Sequence, residues 1–192
     1  MERNKPYRAF DINEVECHHY NYIVPIDKTR ILYDGRYCAV AGFIYSIVNG
    51  KYCVLANRRG EGTPDYQGYW NCPCGFLERG ENSQEGISRE TLEECKIEIP
   101  AHMFSVAYVQ TEPKYSNNGN VSIHHKTFIN WELFPQIYRT SGEKDEVEEI
   151  KWIPVREISQ YKWAFNHERY ILKYAHPRWK RKLLCFLNLI FG

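Results

Sequence analysis

Glu90, Glu93 and Glu94 fall within one stretch of helical sequence, residues 82–96. Spacings of three and four place side chains one helical turn apart, about 5–6 Å between Cβ atoms. Carboxylates packed that way repel one another and destabilise an isolated helix. Something positive must offset them. Arg89, four residues from both Glu85 and Glu93, is one candidate; a bound cation is the other. Clustered hard oxygen ligands without sulfur or imidazole suit Mg²⁺ or Mn²⁺ better than zinc or copper. Mg²⁺ commonly takes one or two carboxylates and completes its shell with water and substrate phosphate, so the chemistry implied is at phosphorus. The bland alternative is a solvated acidic helix face. On the helical wheel Ile87, Thr91 and Cys95 form a stripe that can bury, flanked by Leu92, and the three glutamates are expected opposite it.

The residues ahead of the helix separate the two readings. Gly75 precedes Glu81 with five residues between, seven residues separate Glu81 from Arg89-Glu90, and Glu93-Glu94 follow. The run Gly75-Phe-Leu-Glu-Arg-Gly80-Glu81, then Arg89-Glu90-Thr91-Leu92-Glu93-Glu94-Cys95-Lys96-Ile97, resembles the Nudix box of the Nudix hydrolase superfamily. The box departs from the usual pattern at Lys96, where Gly is normal, and at Cys74, where Gly is common; Thr91 replaces the usual aliphatic. A Gly at the helix exit takes a left-handed conformation, so Lys96 predicts a locally different exit.

The resemblance implies an α+β fold, a mixed β-sheet sandwiched between helices, with the box as loop–helix–loop. It implies that Glu90, Glu93 and Glu94, joined by the carbonyl of Gly75, bind divalent metal. Glu81 and Arg89 correspond to the pair that orients those carboxylates. Glu93 or Glu94 is the candidate for water activation; Glu146, Glu148 and Glu149 are the candidates if a base comes from outside the box. The implied activity is Mg²⁺-dependent hydrolysis of the pyrophosphate bond in a nucleoside diphosphate linked to another group. Pro113, sixteen residues past the box, resembles ADP-ribose-hydrolysing members and favours an ADP-ribose-like or nucleotide-sugar-like substrate. The alternative is a Nudix-fold sensor that binds a nucleotide-like ligand without cleaving it. The residues after residue 175 are too few for a helix-turn-helix unit with its support.

Outside the box, Arg58 and Arg59, read as loop, could neutralise substrate phosphate. Trp70, Tyr115 and Trp152 could stack a base, with core packing as the competing role. His167 reads as a helix-start residue.

The elements that must position these groups are mostly strands. Tyr37–Val48 and Lys51–Ala56 flank Asn49-Gly50, a strong short hairpin signal. Asn57–Tyr69 reads as loop and Trp70–Cys74 as a short strand. Phe104–Thr111, Val121–Leu133 and Glu149–Ile153 read as further strands, and Asn166–Ala175 as a late helix stopped by Pro177. Residues 1–35 form an N-terminal extension, 36–175 the Nudix domain, and 176–192 a basic and apolar C-terminal helical tail.

Composition bounds the rest. The 192 residues have a net charge of +1, which leaves no basic excess for a sequence-independent nucleic-acid binder. The seven cysteines are odd in number, several lie in apolar runs, and the chain opens on polar residues. Free buried thiols in a reducing cytoplasm are expected. Neither Cys72-x-Cys74 nor Cys17-His18-His19 has the second half of a zinc site. The apolar run Leu183–Phe191 is far short of the roughly 20 residues of a membrane span. With residues 1–35 it makes a homodimer plausible.

Overall fold

A computed structural model describes residues 36–112, 119–134, 146–177 and 180. The N-terminal extension, Pro113, Tyr115 and the apolar tail lie outside the described residues. Seven strands form one sheet: β1 (Cys38–Val48), β2 (Lys51–Arg59), β3 (Trp70–Asn71), β4 (Cys74–Phe76), β5 (Ser105–Gln110), β6 (Val121–Phe128) and β7 (Val147–Pro154). Among the described residues, two α-helices, α1 (Ser83–Cys95) and α2 (His167–Tyr174), pack with the sheet. The main strand order is β3-β2-β1-β6-β5, with β4 on β1 and β7 on β2. Among the described strands β1 and β6 pair in parallel and the other pairs are antiparallel. This is the α+β plan with a mixed sheet.

β1 explains why helices cover both faces. Its side chains alternate between two separate cores. Ala41, Phe43, Tyr45 and Ile47 join Ile171 and Tyr174 of α2, while Val40 and Ile44 join Ile87 and Cys95 of α1. A strand buried on both faces reads as an almost unbroken apolar run, as CAVAGFIYSIV does. Gly42 falls on the α1 face. A Cβ there would lie 2.8 Å from Ile87 Cγ1, so the glycine is what allows the helix to sit down on the strand.

The Asn49-Gly50 hairpin forms as expected, both residues having positive φ, 49° and 69°. Its second strand is longer than the sequence suggests. β2 runs to Arg59, so Arg58 and Arg59 are strand residues, paired with β3 and β7. The Gly-rich run after residue 59 disguised the strand end. Val121–Leu133 splits at the other extreme: β6 stops at Phe128 and a 3-10 turn covers Trp131–Leu133.

β1 is shared along its length. Its second half, from Tyr45, pairs with β2, and its first half, Ala39–Ala41, pairs with β4. Between them β3 leads into β4 through a bend at Pro73, whose carbonyl accepts from Gly42 N–H at 2.8 Å. The sheet therefore parts between β2 and β4, directly under the C-terminal half of α1. No helix among the described residues is long and apolar enough to cross a membrane.

Gly42→Ala should cost about 1–3 kcal/mol in urea denaturation, because Ile87 is fully buried and has no room to yield. The double variant Gly42→Ala/Ile87→Ala should lose less than the two single changes summed. Strict additivity would show that α1 does not rest on this contact.

Candidate functional site

α1 begins with a reciprocal cap. Asn82 Oδ1 accepts from Gln84 N–H (2.9 Å) and Glu85 N–H (3.1 Å), and Glu85 Oε2 accepts from Asn82 N–H (2.8 Å). Together these bonds satisfy orphan donors at both ends of the first turn and fix where the helix starts. Thr91 is fully buried and donates its hydroxyl to Ile87 O at 2.6 Å, so it fills the aliphatic position without an unpaired polar atom.

The glutamates are not all opposite the buried stripe. Glu90 is only 8% exposed. Glu94 sits seven residues after Ile87, nearly two full turns, and so returns almost to the Ile87 face. Both flank the stripe and turn inward where the sheet parts; Glu93 alone faces out. Glu94 Oε2 accepts from Asn57 Nδ2 on β2 (2.7 Å) and from Cys74 N–H on β4 (3.1 Å). Its two partners are neutral and come from the two sides of the gap. Burial, then the nearby Glu90, pushes the Glu94 carboxyl up to about 8. Burial pushes Glu90 up to about 7, against the opposing pull of Arg89. The Glu90 carboxylate occupies the space a Cβ on Gly75 would fill, overlapping that position.

Arg89 gathers the remaining acids. Nε and Nη2 donate to the two oxygens of Glu81 (3.1 and 2.9 Å), Nη1 donates to Glu90 Oε1 and to Glu93 Oε2 (2.8 Å each), and Nη2 also donates to Phe76 O (3.0 Å). All five guanidinium donors are used. The bond from Arg89 is the main cause holding Glu81 below the ordinary carboxylate range, and Glu81 in turn raises Arg89. Glu81 also accepts from Glu78 N–H at 2.8 Å, tying the loop before α1 to the helix. Gly86 makes that approach possible, since a Cβ there would lie 2.5 Å from Leu77 Cδ2 and 3.0 Å from Glu81 Oε1. Among the described residues, no group of three or more His, Cys, Asp or Glu side chains is arranged around one point; Arg89 holds Glu90 and Glu93 instead.

A cleft of about 950 Å³ opens over these residues. It is lined by the acidic face of α1 with β4 and by Arg59, Tyr66, Phe165, His167 and Tyr170.

The NUDIX domain model matches residues 39–174, most of the chain. The chain belongs to the NUDIX domain family. Nudix hydrolase 7 of Arabidopsis thaliana is 25% identical over 130 residues, covering 68% of this chain and 44% of that protein. Nudix hydrolase 19, chloroplastic, of the same plant is 29% identical over 91 residues, 47% of this chain and 19% of that protein. The chain thus spans less than half the length of these curated relatives. In solved structures the fold recurs in the NUDIX domain of Shewanella oneidensis NrtR complexed with ADP ribose (TM-score 0.60, 17% identity, 73% of this chain and 87% of that one). It recurs too in a bifunctional NMN adenylyltransferase/ADP ribose pyrophosphatase from Francisella tularensis complexed with AMP and a Mn ion (TM-score 0.56, 23% identity, 72% and 41%).

In this NUDIX domain the box from Gly75 to Ile97 is β4, loop and α1. Its departure at Lys96 proves conservative in shape. Lys96 takes the left-handed conformation itself, φ 60° and ψ 28°, with its N–H on Leu92 O at 3.0 Å and Nζ on Glu93 O at 2.6 Å. The expected different exit does not occur. The extra ammonium bond offsets part of the steric cost of a side chain there.

Residues outside the box divide. Arg59 lines the cleft, bonded to Asp65 and lying 4.9 Å over the Phe165 ring. Arg58 does not line it and pairs with Glu148 (2.6 Å) and Glu149 (3.6 Å) across to β7. Glu146 lines the cleft. Trp70 is buried against Tyr161, and Trp152 packs on the α1-side core, so neither is placed to stack a ligand. Cys53, Cys72 and Cys95 are buried thiols, and Cys38 and Cys74 are half-buried. Asn57 was missed by sequence reasoning. It directly follows the apolar run of β2 and is buried there, an expensive placement for an amide unless it bonds something.

Lys96→Gly should stabilise the protein by about 1 kcal/mol in thermal or urea denaturation, because glycine adopts this conformation without steric cost. Destabilisation instead would mean that the Nζ bond outweighs the strain. Glu94 gives a second expectation. Its folded-state pKa is raised, so metal-free stability is full below the unfolded carboxylate range and is lost as pH rises toward 8. In EDTA, Glu94→Gln should therefore gain stability relative to wild type between pH 5 and 8, by up to about 1.4 kcal/mol per pH unit. A pH-independent difference would show that the buried carboxyl ionises freely.

Proposed function

We propose that this chain is a divalent-metal-dependent hydrolase that cleaves the pyrophosphate bond of a nucleoside diphosphate linked to another group, with an ADP-ribose-like compound as the favoured substrate. The supporting observation is Glu94: a carboxylate drawn into the parted sheet and met only by neutral donors, beside Glu90 and across from an arginine whose donors are all engaged. A buried carboxylate with no cationic side chain bonded to it fits a hard cation. The missing Cβ of Gly75 is the cradle for the Glu90 carboxylate.

Glu90, Glu93 and Glu94, with the Gly75 carbonyl, would hold Mg²⁺ or Mn²⁺; Glu93, half exposed, can leave Arg89 to do so. The ion would supply charge stabilisation at the pyrophosphate and a more acidic water. Arg89, anchored by Glu81 and Phe76 O, orients the carboxylates. Glu94 is our candidate to accept the proton of the attacking water, with Glu146 the candidate from outside the box. Arg59, which lines the same cleft, is our candidate to meet anionic substrate. The ADP-ribose preference draws on two neighbouring structures, one bound to ADP ribose and one described as an ADP ribose pyrophosphatase.

Incubation with ADP-ribose and Mg²⁺ or Mn²⁺ should release AMP and ribose 5-phosphate, and EDTA should stop the reaction. Glu94→Gln should lower kcat by roughly 10²–10⁴-fold while the protein stays folded. Wild-type rates in that variant would remove Glu94 from the site. The NrtR neighbour, a NUDIX domain seen with ADP ribose in a protein also seen with DNA, keeps a sensor reading in play. Tight ADP-ribose binding without product would favour it.

A further inference from the structure

His167 is the first residue of α2 and only 3% exposed, yet it lines the cleft. Its Nδ1 takes the backbone N–H of Cys72 at 3.0 Å. A backbone N–H can only donate, so Nδ1 carries no proton. Burial keeps the ring neutral, pushing its pKa down to about 3. The single ring proton must then sit on Nε2, and the tautomer is fixed by the backbone. No described residue bonds Nε2. Phe43 and Phe165 pack on the ring, at 5.5 and 5.6 Å between centroids, and hold its orientation.

Its location is equally constrained. Cys72 is two residues from Cys74, the residue whose N–H meets Glu94. Imidazole and carboxylate thus hang from one short segment, with anchoring amides no more than roughly 7 Å apart. The turn that delivers His167 is strained. Phe165 and Asn166 both lie in the left-handed region, at φ 55° and 59°, costing on the order of 1–3 kcal/mol each. Asn166, a residue type well suited to capping a helix, makes no side-chain cap on α2. Backbone bonds from Ala164 N–H to Trp70 O and from Trp70 N–H to Lys162 O, both 2.8 Å, hold this turn against β3. A capped helix start would cost less; this one sets the imidazole on the Cys72 amide in the same cleft as Glu94.

We propose that His167 contacts the substrate, its Nε2–H donating a hydrogen bond to an oxygen of the diphosphate–ribose portion next to Glu94. The inference rests on the hydrolase reading above. An uncharged donor suits this cleft: a neutral N–H holds a substrate oxygen without neutralising the acids of α1.

Two variants separate this role from the bond to Cys72. His167→Asn keeps an acceptor near Nδ1 and removes the Nε2–H. It should remain folded, with a melting temperature within a few degrees of wild type, and lose about 10–100-fold in kcat/KM for ADP-ribose with Mg²⁺. His167→Gln reaches the Nε2 position with an amide N–H and should recover part of that loss. By NMR on ¹⁵N-histidine-labelled protein, His167 should show a protonated Nε2 and bare Nδ1. The Nε2–H resonance should move on adding ligand with Mg²⁺. Movement with inorganic pyrophosphate alone assigns the acceptor to phosphate; movement only with ADP-ribose assigns it to the sugar. A folded His167→Asn at wild-type kcat/KM, or a wild-type enzyme that turns over while the resonance stays still, overturns the inference and leaves the hydrolase reading standing. If wild type neither cleaves ADP-ribose nor shifts the resonance, both fall together.

Discussion

The guanidinium of Arg89 is the constraint on which the acidic face depends. Four carboxylates, Glu81, Glu90, Glu93 and Glu94, lie on or beside one stretch of α1, and like charges at this spacing oppose the helix that carries them. Arg89 binds three of the four and the carbonyl of Phe76. It thereby joins β4, the loop through Glu81 and α1 into one rigid unit. The fourth, Glu94, is left to the sheet, which receives it with an amide and a backbone N–H. The division leaves Glu94 without a cationic partner bonded to it, whereas an arginine on it as well would have made an ion pair of it.

The sheet supplies the gap that makes this division possible. β1 changes partner from β4 to β2 along its length, and the bend at Pro73 covers the change. The same segment then offers one N–H to Glu94 and another to His167, so both sit at the place where regular pairing fails. Backbone groups that a continuous ladder would have consumed are free there to hold side chains.

Local signals were readable in the sequence, and partnerships across it were not. The hairpin at Asn49-Gly50 and the spacing from Gly75 to Glu94 are fixed by neighbours a few residues apart, and both appear as expected. Glu94 was assigned to the wrong side of the wheel, although the 100° rule itself returns it nearly to Ile87. Arg58 and Arg59 passed for loop because glycines follow them; the β7 strand that holds them lies about 90 residues on. Asn57 finds Glu94 across 37 residues and His167 finds Cys72 across 95, distances over which composition carries no signal. Lys96 failed in the opposite way: residue type predicted an altered exit, but the helix kept its geometry and the lysine accepted the strain.

The parallel pairing of β1 with β6 has a kinetic side. The two strands meet across some 80 residues, as the bond from Ser46 to Ile129 shows with its separation of 83. Everything α1 contributes lies inside that closed loop. Long loops must give up chain entropy before their contacts reward it, and non-local parallel pairs form slowly. The Arg89 clamp needs no such closure. Its partners lie within 13 residues of it, so local pairing can offset the repulsion of the acidic face as soon as α1 and the loop before it form. What waits on the long closure is the β1–β6 pairing that completes the sheet beneath the helix.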